Sequence, residues 1–346
     1  MSEPATPAAA PLFPPLVLAI FIACVAGAAS LANCALIAAI IRRAKNGLFC
    51  FIIQLSIADF MLLSVSIGPE LWSRNTQTWD FGRSSCVAFR GISIFASTAS
   101  IYLVATIALH TLATINLEDK LAAQKVKRNS TEEDEEMRSS RHSLVASSDT
   151  STPPRTMNLD YRLVDTRVPI APPTFFVWFL CASLSIPEFT LATTIRLDHG
   201  IVCSLVDSSH KLNMHFMLAL FNFFLPVLIM TTISFLISFK LISKKRNNFN
   251  ELVPALKLSL CLIVVYFVMC APRTLLNLYG IYSTATMDSA KEHTIINEDW
   301  LRFINLICSS LHLLSTLVRP LLCISLLPRI RKKFSFGFGK GDAEHV

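Results

Sequence analysis

Three charged side chains, Asp59, Arg273 and Arg319, lie within stretches of the chain that are otherwise nearly free of charge. A lone charge in an apolar medium costs about 2.5–3.5 kcal/mol on insertion scales, so such groups pair with an opposite charge, face water or bind a charged ligand. A guanidinium can hold a carboxylate through two parallel hydrogen bonds. The chemistry that these residue types predict is therefore ion pairing and the recognition of an acid.

Two histidines, His110 and His312, do not add an enzymatic pattern to these charges. Each is solitary, with no nucleophile or metal-ligand partner in the sequence around it. Nucleophilic and acid–base catalysis need a base within hydrogen-bond reach of the reacting group. We therefore predict no enzymatic activity, no metal centre and no cofactor.

The segments that carry the three charges are long enough to cross a membrane. Of the 346 residues, 53% are hydrophobic and only 16% are charged, whereas soluble proteins carry roughly 25% charged residues. This composition excludes a disordered protein and argues against a soluble enzyme. A crossing helix needs roughly 20 mostly apolar residues. Seven windows meet this requirement: Leu12–Ile41, Leu48–Trp72, Cys86–Ile115, Pro173–Ile195, Leu212–Phe239, Leu252–Ile281 and Trp300–Leu327.

The distribution of lysine and arginine predicts how these spans are oriented. Basic clusters follow spans one, five and seven, while the loops on the other side mix both signs. By the positive-inside rule, the basic side is cytoplasmic and the N-terminus lies outside. The net charge of +7 is thus interpreted as a signal of topology and not of nucleic-acid binding.

This topology divides the chain into five parts. We predict a short extracellular N-terminus (1–11), spans one to three (12–115), a long cytoplasmic loop (116–172), spans four to seven (173–327) and a cytoplasmic tail (328–346). The loop is too polar to bury a core and is predicted to be disordered, either as a phosphorylated docking segment around Ser143 or as an unstructured insertion. The basic and aromatic start of the tail predicts a short amphipathic helix on the inner leaflet.

The cysteines fit the same topology. Of the ten cysteines, only Cys86 and Cys203 fall on the outer side of the membrane. The extracellular environment is oxidising. We therefore predict one disulfide between them, which would tie the top of span three to the loop before span five.

The order and spacing of several short motifs resemble the rhodopsin-like G-protein-coupled receptors. Span two carries Leu-Ser-Ile-Ala-Asp at residues 55–59, and Trp-Asp-Phe-Gly at residues 79–82 precedes Cys86. Further landmarks are Asn33 in span one, Trp178 in span four, and Pro226, Pro272 and Pro320 in spans five to seven. The resemblance covers the whole chain except the loop between spans three and four, and it implies an all-α membrane protein, a bundle of seven transmembrane helices.

Four elements that the family uses as activation switches are altered in this sequence. His110-Thr111-Leu112 stands where the family has Asp-Arg-Tyr, and Ser234 replaces the tyrosine of span five. Cys270 lies in the span-six motif without the usual tryptophan, and Arg319-Pro320 replaces Asn-Pro in span seven. These departures leave coupling to a G protein or arrestin open.

The resemblance implies that the span-two aspartate lies beside span seven and that the two together hold a sodium ion. Here the facing position is Arg319, whose guanidinium would fill the sodium site and hold Asp59. Such a receptor would be insensitive to sodium. The alternative is that Arg319 extends to the cytoplasmic side of the membrane.

In the family, the ligand lies between the outer halves of spans two, three, five, six and seven. Ser93 falls where amine receptors have an aspartate and Leu313 where opsins have a lysine, so neither ligand class is favoured. Arg273 suggests a ligand with an acidic group, although it could instead pair with Glu70. The candidate pocket residues are Glu70, Arg90, Ser93, His215, Arg273, Asn277 and Arg302.

The loop before span five favours the peptide-receptor branch of the family. Residues 196–207 place Gly200 before alternating side chains, which predicts a short hairpin over the pocket. We therefore predict a plasma-membrane receptor for an extracellular peptide or small acidic molecule. The alternative is a non-signalling seven-span protein that acts as a scavenger or as the partner of another receptor.

Overall fold

The computed structural model describes residues 11–41, 46–140, 168–197, 200–205, 216–244, 252–287, 298–328 and 330–331. Within these residues, seven helices are long and apolar enough to cross a membrane, which confirms the predicted seven-helix bundle. Their spanning parts are α1 (Pro15–Ile40), α2 (Gly47–Thr76), α3 (Gly82–Leu121), α4 (Ala171–Leu191), α5 (Phe216–Ile242), α6 (Val253–Tyr279) and α7 (Trp300–Leu326).

Helix α3 lies at the centre of the bundle and packs against most of the other spans. In its most apolar window, 72% of the residues are buried, against 11% in α1 and 22% in α4. Small residues such as Ala96, Ala99 and Ala108 are fully buried on α3, so neighbouring backbones approach it closely. By contrast, Phe175 on α4 and Phe235 on α5 are exposed, as expected of side chains that face lipid.

Two boundaries differ from the prediction. The window predicted to end at Ile195 ends as a helix at Leu191, because Ala192 turns to an extended conformation and begins a strand. The segment predicted to be disordered from Asn116 is helical as far as Ser140, since the helix that contains α3 runs over Gly82–Ser140. That stretch has no glycine or proline after Gly91 and is rich in helix-forming residues, so nothing in it ends the helix.

The rest of that loop, residues 141–167, lies outside the described residues, as do most of the N-terminal segment and most of the predicted amphipathic helix after span seven.

A two-stranded hairpin covers one end of the bundle. Strands β1 (Ala192–Leu197) and β2 (Gly200–Leu205) pair in antiparallel register. Gly200 has φ +146°, a conformation that favours glycine. The hairpin thus lies where the sequence predicted it, although it starts four residues earlier.

The predicted disulfide between Cys86 and Cys203 is present, with sulfur atoms 2.00 Å apart. It joins the start of α3 to β2, and the backbone N–H of Trp79 donates to the Ile201 carbonyl at 2.7 Å beside it. We call this the disulfide end of the bundle and the other the opposite end.

Three spans contain one π-helical turn each, at Leu62–Ser66 in α2, Leu220–Phe224 in α5 and Tyr266–Cys270 in α6. A π turn inserts one residue and rotates the side chains beyond it, and such turns are frequent at functional sites. In α6 the turn ends at Cys270, whose sulfur lies 3.1 Å from the Arg319 guanidinium of α7.

Candidate functional site

A cavity of about 360 Å³ opens near the disulfide end. It is surrounded by the six helices α2, α3, α4, α5, α6 and α7, and β2 lies at its rim. Each of these helices contributes a polar side chain to it, and six charged side chains line it. The charged residues are Glu70, Arg74, Arg90, Glu188, Arg273 and Arg319.

Most of the residues predicted for the pocket come together in this cavity. Those that line it are Glu70, Arg90, Ser93, Arg273 and Asn277. Arg302, near the start of α7, does not line it, and His215 lies outside the described residues.

Among the charged residues and histidines that line the cavity, three had no role in the predicted site, namely Arg74, Glu188 and His312. Arg74 is four residues after Glu70 on one helix, and that spacing places both on one face. Glu188 is the only acidic residue of α4, and His312 lines the cavity although its solitary position in the sequence indicated no role in a site.

The carboxylate of Glu70 collects donors from three helices. Its Oε1 accepts hydrogen bonds from Arg74 Nε at 3.0 Å, from Arg273 Nε at 2.7 Å and from Ser309 Oγ at 3.0 Å. Its Oε2 accepts a further bond from Arg273 Nη2. Arg273 therefore holds the internal carboxylate bidentately, the alternative that the sequence left open, and the bonds to Glu70 together join α2, α6 and α7.

Arg74 extends the same cluster toward α6. Its Nη2 donates to Asn277 Oδ1 at 2.7 Å. Among the described residues, the cluster therefore contains two guanidinium groups and one carboxylate, so it carries one positive charge that no carboxylate within it balances.

A second ion pair at the disulfide end is balanced. Arg90 donates from Nε and Nη2 to the two oxygens of Glu188, at 2.8 and 3.1 Å. The Glu188 side chain is only 1% exposed, which explains why it needs a bidentate partner. This pair joins α3 to α4 and adds no net charge to the cavity.

Deeper in the bundle, Asp59 pairs with Arg319. Arg319 Nη1 donates to Asp59 Oδ1 at 2.5 Å, and Ser100 Oγ donates to the same oxygen at 3.2 Å. The guanidinium is buried within the bundle, so it does not extend to the membrane surface. Only one of the two predicted parallel bonds is present, because Nη2 donates instead to the sulfur of Cys270 at 3.1 Å.

The sodium site implied by the resemblance does not fit these residues. The carboxylate of Asp59 is neutralised by a guanidinium in direct contact with it. A monovalent cation would find no net negative charge there and would be repelled by Arg319 at short range. These residues therefore do not form a sodium-binding site.

At the opposite end, a ring contact and a hydroxyl–hydroxyl bond involve two of the altered switch positions, His110 and Thr111. The His110 ring lies edge-on to Phe51, with centroids 5.4 Å apart, and it packs so closely against Gly47 that no larger residue fits there. Ser259 Oγ of α6 donates to Thr111 Oγ1 of α3 at 3.1 Å. A buried neutral hydrogen bond thus joins the two helices where the family has an arginine. Pro320 lies inside α7.

Seven membrane-crossing helices, a disulfide from the third helix to a hairpin, and a polar cavity beneath that hairpin define a seven-helix membrane protein of the receptor class. The family described as the 7 transmembrane receptor (rhodopsin family) matches residues 32–110 and 156–322. The chain belongs to this family, which is generally non-enzymatic. A search of curated proteins finds no match.

Proposed function

We propose that this chain is a plasma-membrane receptor that senses an extracellular ligand with an acidic group, either a small organic acid or the C-terminus of a peptide. Coupling to a G protein or arrestin follows from rearrangement of the helix bundle. The observation that carries this proposal is the unbalanced positive charge of Arg74 and Arg273, which share the carboxylate of Glu70.

The charges of the whole cavity support the same ligand class. Its lining has four arginines and two glutamates, and Asp59 neutralises the deepest arginine, Arg319. Counted over the residues that the structure describes, one positive charge remains, at the Arg74 and Arg273 cluster. Because these side chains are only 24% and 14% exposed, a ligand carboxylate would interact with them under weak solvent screening.

The size of the cavity limits the ligand. Ligand pockets usually occupy about 300–1,000 Å³, and this one, at about 360 Å³, is near the lower limit. A small organic acid fits it entirely. For a peptide, only the last one or two residues would enter, and the remainder would lie against the hairpin at the rim.

The contacts of Arg273 connect ligand binding to a change in the bundle. Arg273 belongs to α6, while its partner Glu70 belongs to α2. A ligand carboxylate that takes over part of this guanidinium weakens the bond between the two helices. It would thereby shift the population between two packings of α6.

The ligand class is tested with a panel of carboxylic acids and C-terminal peptides, each paired with its methyl ester or amide. We expect the acids to raise the melting temperature of the purified receptor more than their neutral pairs. Arg74→Gln keeps the Glu70–Arg273 pair but removes the surplus charge, so we expect it to weaken acid binding about 10- to 100-fold.

Arg302→Gln is the matched control, because it removes an arginine at the same end that does not line the cavity. Equal binding of acids and neutral pairs, or equal losses in both variants, would contradict the proposal. Response to peptide acids alone, or to small acids alone, identifies the source of the carboxylate.

A second candidate function, a non-signalling scavenger or receptor partner, is favoured by the neutral Thr111–Ser259 contact in place of a switch arginine. Expression with each class of G protein and with arrestin separates the two. For a signalling receptor we expect basal or ligand-induced activity in the wild type. A silent wild type together with an active Thr111→Arg variant would favour the second candidate.

A further inference from the structure

A buried histidine lines the deep part of the cavity without a hydrogen-bond partner. His312 of α7 is 5% exposed, and among the described residues neither ring nitrogen has a partner. Buried polar groups are nearly always hydrogen-bonded in native proteins. Since the imidazole borders an open cavity, the missing partner is expected to come from whatever occupies that cavity.

The surroundings of His312 show what kind of group it can bind. Glu70, Arg273 and Arg319 line the same cavity as His312, and each arginine already contacts a carboxylate. A neutral imidazole beside two guanidinium groups presents one N–H donor and one nitrogen acceptor. A hydroxyl can pair with either nitrogen, because it both donates and accepts. A second carboxylate would find no unbalanced positive charge at this depth.

We propose that His312 forms a second, deeper subsite that binds a hydroxyl group of the ligand whose acid is held by Arg74 and Arg273. This inference rests on the proposed function and makes it more specific. It assigns to the cavity a hydroxy acid, with the carboxylate toward the disulfide end and the hydroxyl deeper in the bundle.

Helix geometry gives the spacing along α7 between the outer cluster and His312. Ser309, which donates to Glu70 in the outer cluster, and His312 are three residues apart on α7. Residues at this spacing share one helix face and lie roughly 5 Å apart. A ligand whose carboxylate lies level with Ser309 and whose hydroxyl lies level with His312 would span about that distance, which corresponds to an extended chain of four or five carbons.

The test compares ω-hydroxy acids, from 3-hydroxypropanoate to 6-hydroxyhexanoate, with the corresponding acids that lack the hydroxyl. Affinities are measured by titrating the melting temperature of the purified full chain. In the wild type, we expect the hydroxyl to tighten binding roughly 2- to 10-fold, with a maximum at four or five carbons.

Two variants show whether His312 provides the contact. In His312→Leu, the affinities for each hydroxy acid and for its unsubstituted pair should become equal, whatever happens to the affinity for the unsubstituted acid itself. His312→Gln retains a donor and an acceptor, so it should keep part of the gain. It also serves as the test variant if leucine prevents folding.

The inference is overturned if the hydroxyl adds no affinity to the wild type at any chain length, or if the gain persists in His312→Leu. A further outcome is that the unsubstituted acids bind in a way that Arg74→Gln weakens, while the hydroxyl adds nothing. That outcome would support the proposed function and rule out this subsite. If neither series binds, both the proposed function and the subsite fall.

Discussion

Exchanging Asp59 and Arg319 is expected to restore most of the folded receptor that either single reversal removes. Each side chain is almost completely buried, and each is the other's only opposite charge in contact among the described residues. Breaking a buried ion pair from one side costs about 3–5 kcal/mol, because the remaining charge stays buried without a partner. Asp59→Arg or Arg319→Asp adds like-charge repulsion to this loss, so each single variant should reach the cell surface poorly.

The measurement is surface expression together with the melting temperature of the purified protein. Asp119 and Lys240 provide the matched control, since they form a pair 2.8 Å apart between α3 and α5 whose side chains are 41% and 33% exposed. Reversing either of them should cost less than about 1 kcal/mol. The interpretation of Asp59 and Arg319 as a structural pair is wrong if the exchanged variant is no better than the single ones.

The pair of Asp59 and Arg319 also predicts how sodium affects the melting temperature of the receptor. The wild type should melt at one temperature in sodium chloride and in choline chloride at equal ionic strength, since Arg319 neutralises Asp59. In Arg319→Asn the carboxylate is freed, and sodium should then stabilise the receptor. A sodium effect of equal size in both proteins would show that the guanidinium does not occupy the site.

The spans were predictable because a membrane helix requires only length and apolar composition. The disulfide was predictable because topology left two cysteines on one side of the membrane. The extension of the α3 helix to Ser140 was not predictable from apolar composition, because a polar segment can still have a high helix propensity. Residues such as Glu118 and Lys120 favour a helix without making it apolar.

Within the cavity, single charges were easier to predict than their partners. Arg273 stands out in an apolar span, but whether it binds Glu70 or a ligand depends on where α2 lies relative to α6. The unpartnered state of His312 depends on side chains from several helices at once. No local pattern in the sequence carries that information.

The polar contacts of α6 form three levels along the bundle. Arg273 binds Glu70 of α2, Cys270 lies against Arg319 of α7, and Ser259 donates to Thr111 of α3. A movement of α6 has to rearrange these contacts, of which the first lies beside the surplus charge of the cavity, where Asn277 of α6 also accepts a hydrogen bond from Arg74. A ligand in the cavity would therefore change the position of α6 most directly through the Glu70 cluster.

Glu70→Gln is expected to lower the free energy of unfolding by about 3–5 kcal/mol, because two guanidinium groups then lose the carboxylate they share. Ser309→Ala is the matched control on the same carboxylate. It removes one neutral donor and should cost only about 0.5–1.5 kcal/mol.

Thermal unfolding can be followed with a thiol-reactive dye, since the free thiols of Cys270 and Cys308 are buried in the folded bundle. Combining Glu70→Leu with Arg273→Met should recover part of the loss, because neither member of the pair then remains charged. Equal destabilisation by Glu70→Gln and Ser309→Ala would show that the cluster does not hold α6 electrostatically. Such a result would also remove the route by which a ligand carboxylate changes the packing of that helix.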